Sequence, residues 1–318
     1  MYNLGIDLGG TNIVVGVVDK ENNIIGKAER KTNLPRPAEN IFEDMYAAAL
    51  DALDKAGLSM KDIEYVGLGT PGAVEPDTGV ITYSANLFFH NVPAKKMLEE
   101  RFGKIAFVGN DANCAAFGEF IAGAGKYARD MIAVTLGTGV GGGIILNKKL
   151  HVGFNGAAGE IGHMVIHVDG EGCNCGRKGC WETYASATAL NRMTKELLES
   201  THDSILEKVI AAEGEINAKV PYKAAREGSK VCAELCEKYA KYVATGVLNL
   251  INMLEPEVIC IGGGVSHEGD ALLQPILEYV AKESYTREND EEMQTSIKLA
   301  ELGNDAGIIG AALLYKNG

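Results

Sequence analysis

The chain has 318 residues and a formal net charge of −13, with 30 Lys and Arg against 43 Asp and Glu. A hydrophobic fraction of 46% and a charged fraction of 23% are those of a globular chain with room for two ordinary domains or one large one. The acidic balance excludes the basic face that a nucleic-acid partner needs, but not a nucleotide, which needs only backbone N–H groups and a magnesium ion.

Glycine is the outlier at 39 residues. Its clustering in short loops after apolar runs points to close approach of backbone to a ligand. The start, MYNLGIDLGG, runs straight into a strand pattern without a cationic segment, so no signal peptide is expected. The longest apolar run, near Val243 to Leu254, contains Asn249 and Asn252 and is too short to span a bilayer. A cytoplasmic protein is therefore expected. Seven cysteines, three of them crowded together, fit a metal site in a reducing compartment better than a disulfide framework.

In chain order, Asn3 to Leu8 reads as an apolar strand ending on Asp7. Gly9-Gly10-Thr11-Asn12 follows, then strands at Ile13 to Val18 and Ile24 to Lys31, which make an antiparallel meander. A helix is expected from Ile41 to Ala56, stopped by Gly57. The strand Ile63 to Leu68 leads into Gly69-Thr70-Pro71-Gly72, and a helix from Ala94 to Arg101 precedes the strand Ile105 to Val108. After Asp111, the residues Ala115, Phe117, Phe120 and Ile121 mark a helical apolar face. Met131 to Leu136 restarts the pattern: strand, Gly137-Thr138-Gly139, strand Val140 to Leu146, and a polar turn at Asn147 to Lys149. Helices, the strand Val258 to Ile261, Gly262-Gly263-Gly264, a helix, the strand Ser296 to Leu299 and a closing helix complete it. The two halves read as a duplicated strand-strand-strand-helix-strand-helix-strand unit, with an insertion early in the second copy.

That insertion, Gly156 to Glu182, carries Cys173, Cys175 and Cys180 in a Cys-x-Cys-x4-Cys run. The run is too dense for chance, and thiolates select zinc. His151, His163 and His167 all lie near enough to supply a fourth ligand. Four protein ligands make a closed, structural ion that fixes its neighbours Glu160 and Glu182. Those two acids read as acceptors for adjacent hydroxyls, which discriminate strongly because a missing hydroxyl leaves a buried acceptor unpaired. Cys114, Cys232, Cys236 and Cys260 fall in apolar patterns and read as packing, and the acidic run Glu288 to Glu292 as a solvated face.

Asp111 follows a buried strand at the start of a helix, where an aspartate serves either as an N-cap or as a general base. A helix N-terminus should give it a low pKa. That is tolerable if the transition state is loose and the carboxylate mainly orients the attacking oxygen. The two loops Asp7 to Asn12 and Gly137 to Gly141 read either as hairpins needing positive φ or as clamps on phosphates through backbone N–H groups and the Thr11 and Thr138 hydroxyls. Neither is a Walker A motif. Mg2+ must then neutralise much of the phosphate charge, with Asp7 a plausible indirect ligand.

DLGGTN (Asp7 to Asn12), Asn110-Asp111, LGTGVGGG, GEIGH and CNCGRKGCWE occur together in the order seen in the ROK family of bacterial sugar kinases and repressors, which the chain resembles over nearly its whole length. The resemblance implies an α/β fold of the duplicated actin-like, sugar kinase–Hsp70 type, with two domains closing a cleft over the sugar. It implies a smaller domain of residues 1–118 and 302–318 carrying the catalytic Asp111, and a larger one of residues 119–301 carrying the insertion and nucleotide loops. The implied reaction is ATP-dependent phosphorylation of a hexose at the 6-hydroxyl, with glucose favoured and Asp111 accepting the proton.

The same resemblance selects His163 as the fourth zinc ligand and implies sugar contacts at Gly72, Asn86, Asn110, Asp111, Glu160, His163 and Glu182. It places the nucleotide on Asp7, Gly9, Gly10, Thr11, Asn12, Thr138, Gly139, Gly262, Gly263 and Gly264, and it implies a homodimer. By spacing alone, Gly262 to Val265 reads equally as a plain strand–helix turn. The rival enzyme readings are a fructose or N-acetylmannosamine kinase and, less favoured, a polyphosphate donor. Outside catalysis stand a sugar-sensing repressor, against which the acidic charge counts, and a non-catalytic sugar-binding module, against which Asp111 counts.

Overall fold

The computed structural model of the chain describes residues 2–285 and 294–317. The run Glu288 to Glu292, expected to be a solvated face, lies outside them. In order come β1 (Tyr2–Leu8), β2 (Asn12–Val18), β3 (Ile24–Lys31), α1 (Ala38–Ala56), β4 (Ile63–Thr70), β5 (Ala73–Val74), β6 (Ile81–Ser84), β7 (Phe89–Val92), α2 (Ala94–Phe102), β8 (Ile105–Asn110) and α3 (Asp111–Ala122). There follow β9 (Met131–Leu136), β10 (Val140–Leu146), β11 (Lys149–Leu150), α4 (Glu182–Ala185), α5 (Ala187–Ser200), α6 (Ser204–Glu213), α7 (Lys219–Arg226), α8 (Lys230–Leu254), β12 (Val258–Gly262), α9 (Asp270–Glu283), β13 (Ser296–Leu299) and α10 (Ala306–Ala312).

Two five-stranded sheets have the orders β3-β2-β1-β4-β8 and β11-β10-β9-β12-β13. The same order occurs twice, as a duplication requires. A meander supplies the first three strands of each, and two later strands extend the sheet; β4 and β8 in the first and β13 in the second are added parallel. A three-stranded sheet, β5-β6-β7, was not foreseen. Its strands are too short for alternation to show in sequence.

By contacts the chain forms two compact units. The first comprises Met1–Ile132, Gly143–Gly159 and Glu301–Gly318; the second comprises Ala133–Gly142 and Glu160–Ala300. The first unit buries Leu4, Ile6, Leu8, Ile13, Val15 and Val17 of its sheet against Ile41, Phe42, Met45 and Leu53 of α1. α1 ends where Gly57 takes a left-handed conformation and its N–H caps the last turn, as the sequence predicts. In the second unit Trp181 is fully buried and stacks on the α8 backbone. A Cβ at Gly246 would fall 2.0 Å from its ring, and the indole N–H donates to the Tyr242 carbonyl at 2.8 Å.

α3 departs from its expected one-sided face. It is buried on almost every side, including Asn113, Cys114, Gly118 and Glu119. The reason is its neighbour α10, against which it lies backbone to backbone: a Cβ on Gly118 would fall 2.2 Å from the Ala306 carbonyl oxygen.

Candidate functional site

Strand register assembles one half of the candidate residues. Asp7 pairs with Gly69, Gly69 with Gly109, and Thr70 with Asn110, so the carboxyl ends of β1, β4 and β8 finish level. That edge of a parallel sheet is where open α/β folds bind ligands. Gly69 allows the close approach of α3: a Cβ there would sit 3.2 Å from Cys114 Sγ and 3.7 Å from Asp111 Cα.

The N-cap of α3 is Asn110, not Asp111. Its Oδ1 accepts from the Ala112 and Asn113 N–H groups at 2.9 and 3.2 Å, and its Nδ2 donates to the Gly72 carbonyl at 3.2 Å. Asp111 is thereby relieved of the capping role, although its Oδ1 also accepts from Ala112 N–H at 2.9 Å. The low pKa expected for Asp111 is overturned. Burial raises it, and the backbone hydrogen bonds and Asn110 only partly offset this. Asp7 is pushed up to about 6 by burial and by the charge of Asp111, with Lys27 opposing. A pair of largely buried carboxylates with raised pKa values marks this edge as a site for proton or cation chemistry.

The glycine loops bear on the choice between hairpin strain and ligand approach. Gly9, Gly10, Gly137 and Gly139 are not among the positive-φ residues, so backbone conformation does not call for glycine. A Cβ on Gly10 would meet nothing nearer than the Asn86 carbonyl oxygen at 3.9 Å, and one on Gly137 nothing within 4 Å. At these two positions neither strain nor packing accounts for the missing side chain. Gly72 and Gly263 differ. Both have positive φ, and a Cβ would fall 2.2 Å from the Tyr83 carbonyl oxygen and 2.6 Å from Leu136 backbone, respectively. Gly263 therefore has a packing reason of its own beside β9.

In the second unit Thr138 is exposed, and its loop is held by α5. Thr188 Oγ1 donates to the Thr138 carbonyl at 2.7 Å and Ala187 N–H to the Gly137 carbonyl at 2.8 Å. Ala187 and Thr188 escaped the sequence reading, although Ser186, the N-cap of that helix, was a legible signal.

His163, Cys173, Cys175 and Cys180 come together, with one ligand atom from each all within 4.8 Å of one another. His163 Nδ1 lies 3.7 Å from Cys173 Sγ, and Cys175 and Cys180 Sγ are 3.6 Å apart. A tetrahedral zinc ion with ordinary bond lengths needs S···N and S···S separations of about 3.6 and about 3.8 Å, so the residues fit the ion. His167 instead turns its Nδ1 to the Val168 carbonyl at 3.1 Å.

Glu182 opens α4 beside this cluster. Its Oε1 accepts from the Cys173 thiol at 3.0 Å and lies 3.6 Å from His163 Nδ1, while its Oε2 lies 2.6 Å from where a Gly139 Cβ would be. Burial, then Glu182, pushes the Cys173 thiol up to about 12, whereas backbone hydrogen bonding at Arg177 lowers Cys175. Glu160 stands exposed at the start of the Ile161–His163 turn, its carboxylate unpaired among the described residues. Cys114, Cys232, Cys236 and Cys260 are buried, as the apolar patterns predict. A cavity of about 240 Å³ lies behind Asn110, lined by Lys95, Val108, Asn113 and Leu314. It includes neither Asp7 nor Asp111, although Gly109 and Asn110 at the end of β8 line it.

Residues 3–318 match the family model described as ROK family. The chain belongs to the ROK family. Among its relatives, the glucokinase of Halalkalibacterium halodurans is 40% identical over 318 residues, covering 98% of this chain and 94% of that one. The glucokinase of Thermotoga maritima is 34% identical over 319 residues, covering 98% and 96%. A solved ROK glucokinase from Streptomyces griseus, in complex with glucose and AMPPNP, superposes with a TM-score of 0.81 at 36% identity, each chain covered completely. The fold is thus the duplicated sugar kinase fold of the ROK kinases. No helix among the described residues is long and apolar enough to cross a membrane.

Proposed function

We propose that the chain is an ATP-dependent hexokinase that transfers the terminal phosphoryl group to the 6-hydroxyl of glucose. The observation that carries the reading is Asp111, a largely buried carboxylate of raised pKa at the first turn of α3, level with Asp7. A carboxylate lifted toward the working pH accepts a hydroxyl proton better than an ordinary aspartate, while still mainly orienting the attacking oxygen. Asp7, the second raised carboxylate, is suited to water-mediated contact with Mg2+, whose charge would also bring it to its ionised form. Gly9, Gly10, Thr11, Asn12, Thr138 and Gly139 are assigned to phosphate through backbone N–H and hydroxyl groups, a reading supported by the open space at Gly10 and Gly137, and Gly262 to Gly264 are assigned to adenosine.

The sugar is assigned to Gly72, Asn86, Asn110 and Asp111 together with Glu160, His163 and Glu182. The free Glu160 carboxylate and the second nitrogen of His163 supply hydrogen-bonding groups for hydroxyls. Zinc on His163, Cys173, Cys175 and Cys180 would be structural, bracing the loop and orienting His163 and Glu182. A cytoplasmic location is supported by a cysteine usage suited to a reducing compartment, and the homodimer is what the family resemblance implies.

The test is a coupled assay with MgATP and a panel of hexoses. Glucose should give the highest kcat/KM. A preference for fructose or N-acetylmannosamine would move the specificity, and no turnover with any hexose would sink the kinase reading.

A further inference from the structure

Glu119 is 3% exposed near the end of α3, yet its carboxylate is fully engaged. Oε2 accepts from the Ala124 and Glu301 N–H groups at 3.0 and 3.1 Å, and Oε1 from Leu302 N–H at 2.8 Å. One side chain therefore ties the loop after α3 to the segment that leads into α10. Burying a carboxylate is costly, and three backbone donors are the kind of partners that make it tolerable. A leucine in this place would leave those three N–H groups without their acceptor, so the directional bonds are the feature to explain.

The interface they join has few knobs. A Cβ on Gly310 would fall 1.7 Å from the Cys114 carbonyl oxygen, and one on Gly118 2.2 Å from that of Ala306. Backbones that touch through glycine and alanine pack closely but offer little side-chain interdigitation to resist sliding along the helix axis. α10 also bears on β1: a Cβ on Gly5 would fall 1.9 Å from the Ile308 carbonyl oxygen, and one on Gly307 3.2 Å from Asp7 Oδ2. Asp305, just before α10, pairs with Lys27. Asp111 starts α3 directly after β8 and Asp7 ends β1, so the sheet sets their backbones level, and the register of α3 against α10, whose Gly307 lies beside Asp7, adds a second constraint on the first turn of α3.

We propose that Glu119 is a positioning residue for phosphoryl transfer, locking that register and so the placement of Asp111 relative to Asp7. The role rests on the kinase reading above. It acts through Asp111, since Glu119 itself faces Ala124, Glu301 and Leu302. Loss of the lock displaces the acceptor of the proton, which slows the chemical step and leaves the ground-state contacts of both substrates largely in place.

Two substitutions test it from opposite sides. Glu119→Gln keeps one acceptor oxygen and sets an NH2 donor group against the N–H groups on the other side, so at least one of the three bonds is lost. Gly123→Ala leaves Glu119 intact and places a methyl 2.1 Å from its Oε2, pushing the carboxylate from its seat. Both are assayed beside the wild type at a temperature where circular dichroism shows them folded. The expected result is a kcat at least tenfold lower with KM for glucose and ATP within threefold of wild type, and faster amide exchange at Ala124, Glu301 and Leu302. If Glu119→Gln does not fold, Gly123→Ala decides. Folded variants that keep wild-type kcat, or lose only affinity, overturn the positioning role and leave the kinase reading standing. Absence of turnover in the wild type overturns the kinase reading beneath it.

Discussion

Asp7 and Asp111 are held at a cost to stability. An acid whose pKa is higher folded than unfolded penalises the fold once ionised. For Asp7 the penalty is absent below its ordinary value of 3.8 and complete above about 6. It is on the order of 3 kcal/mol, the step from 3.8 to about 6 at roughly 1.36 kcal/mol per pH unit. Asp7→Asn should therefore raise the Tm of the ligand-free protein at pH 8 but not at pH 4, while abolishing turnover. An equal Tm at both pH values would contradict the burial argument. Asp111 has the same sign, and the acid limb of its kcat/KM profile should lie above the range of an exposed aspartate. None of this was legible in sequence. Asn and Asp are both good N-caps, so Asn110-Asp111 does not say which of them caps, and the burial that raises the Asp111 pKa is a tertiary effect of α3 packing on α10 and β4.

At the scale of elements, the glycines separate into two classes with opposite predictions. Gly137 faces open space without a left-handed φ, so Gly137→Ala should leave the unfolding free energy within about 0.5 kcal/mol of wild type and raise KM for ATP several-fold. Gly246→Ala should instead cost about 1–3 kcal/mol in urea unfolding and shift the emission of Trp181, because its methyl enters the indole ring. A destabilised Gly137→Ala would return that loop to the hairpin reading. The metal cluster gives a third test. Cys175→Ser should lose one equivalent of zinc, lower Tm and raise KM for glucose through His163 and Glu182, and metal analysis that finds no zinc in the native protein would remove the brace. The cysteine spacing was readable because the ligands are close in sequence. The choice of His163 over His151 and His167 was not readable from spacing, since it depends on the turn at Ile161–His163 and the bridge of Val165 to Cys180.

For the whole molecule, the duplication was legible. Each copy begins with tight turns between apolar strands, and local turns fix antiparallel neighbours. The repeated order β3-β2-β1-β4-β8 and β11-β10-β9-β12-β13 bears that reading out. The small β5-β6-β7 sheet was not legible because its strands are too short for alternation to show, and the clamp at Glu119 was not because it joins segments far apart in the chain. The account's central claim is that Asp111 performs the proton step of hexose phosphorylation and is dispensable for holding the sugar. The most direct measurement pairs glucose-dependent ADP formation with glucose titration of the single tryptophan, Trp181, next to Glu182, in wild type and Asp111→Ala. The predicted result is turnover lost by at least about a thousandfold, as for removal of a general base acting within a preorganised site, with glucose binding retained. Turnover within tenfold of wild type would contradict it.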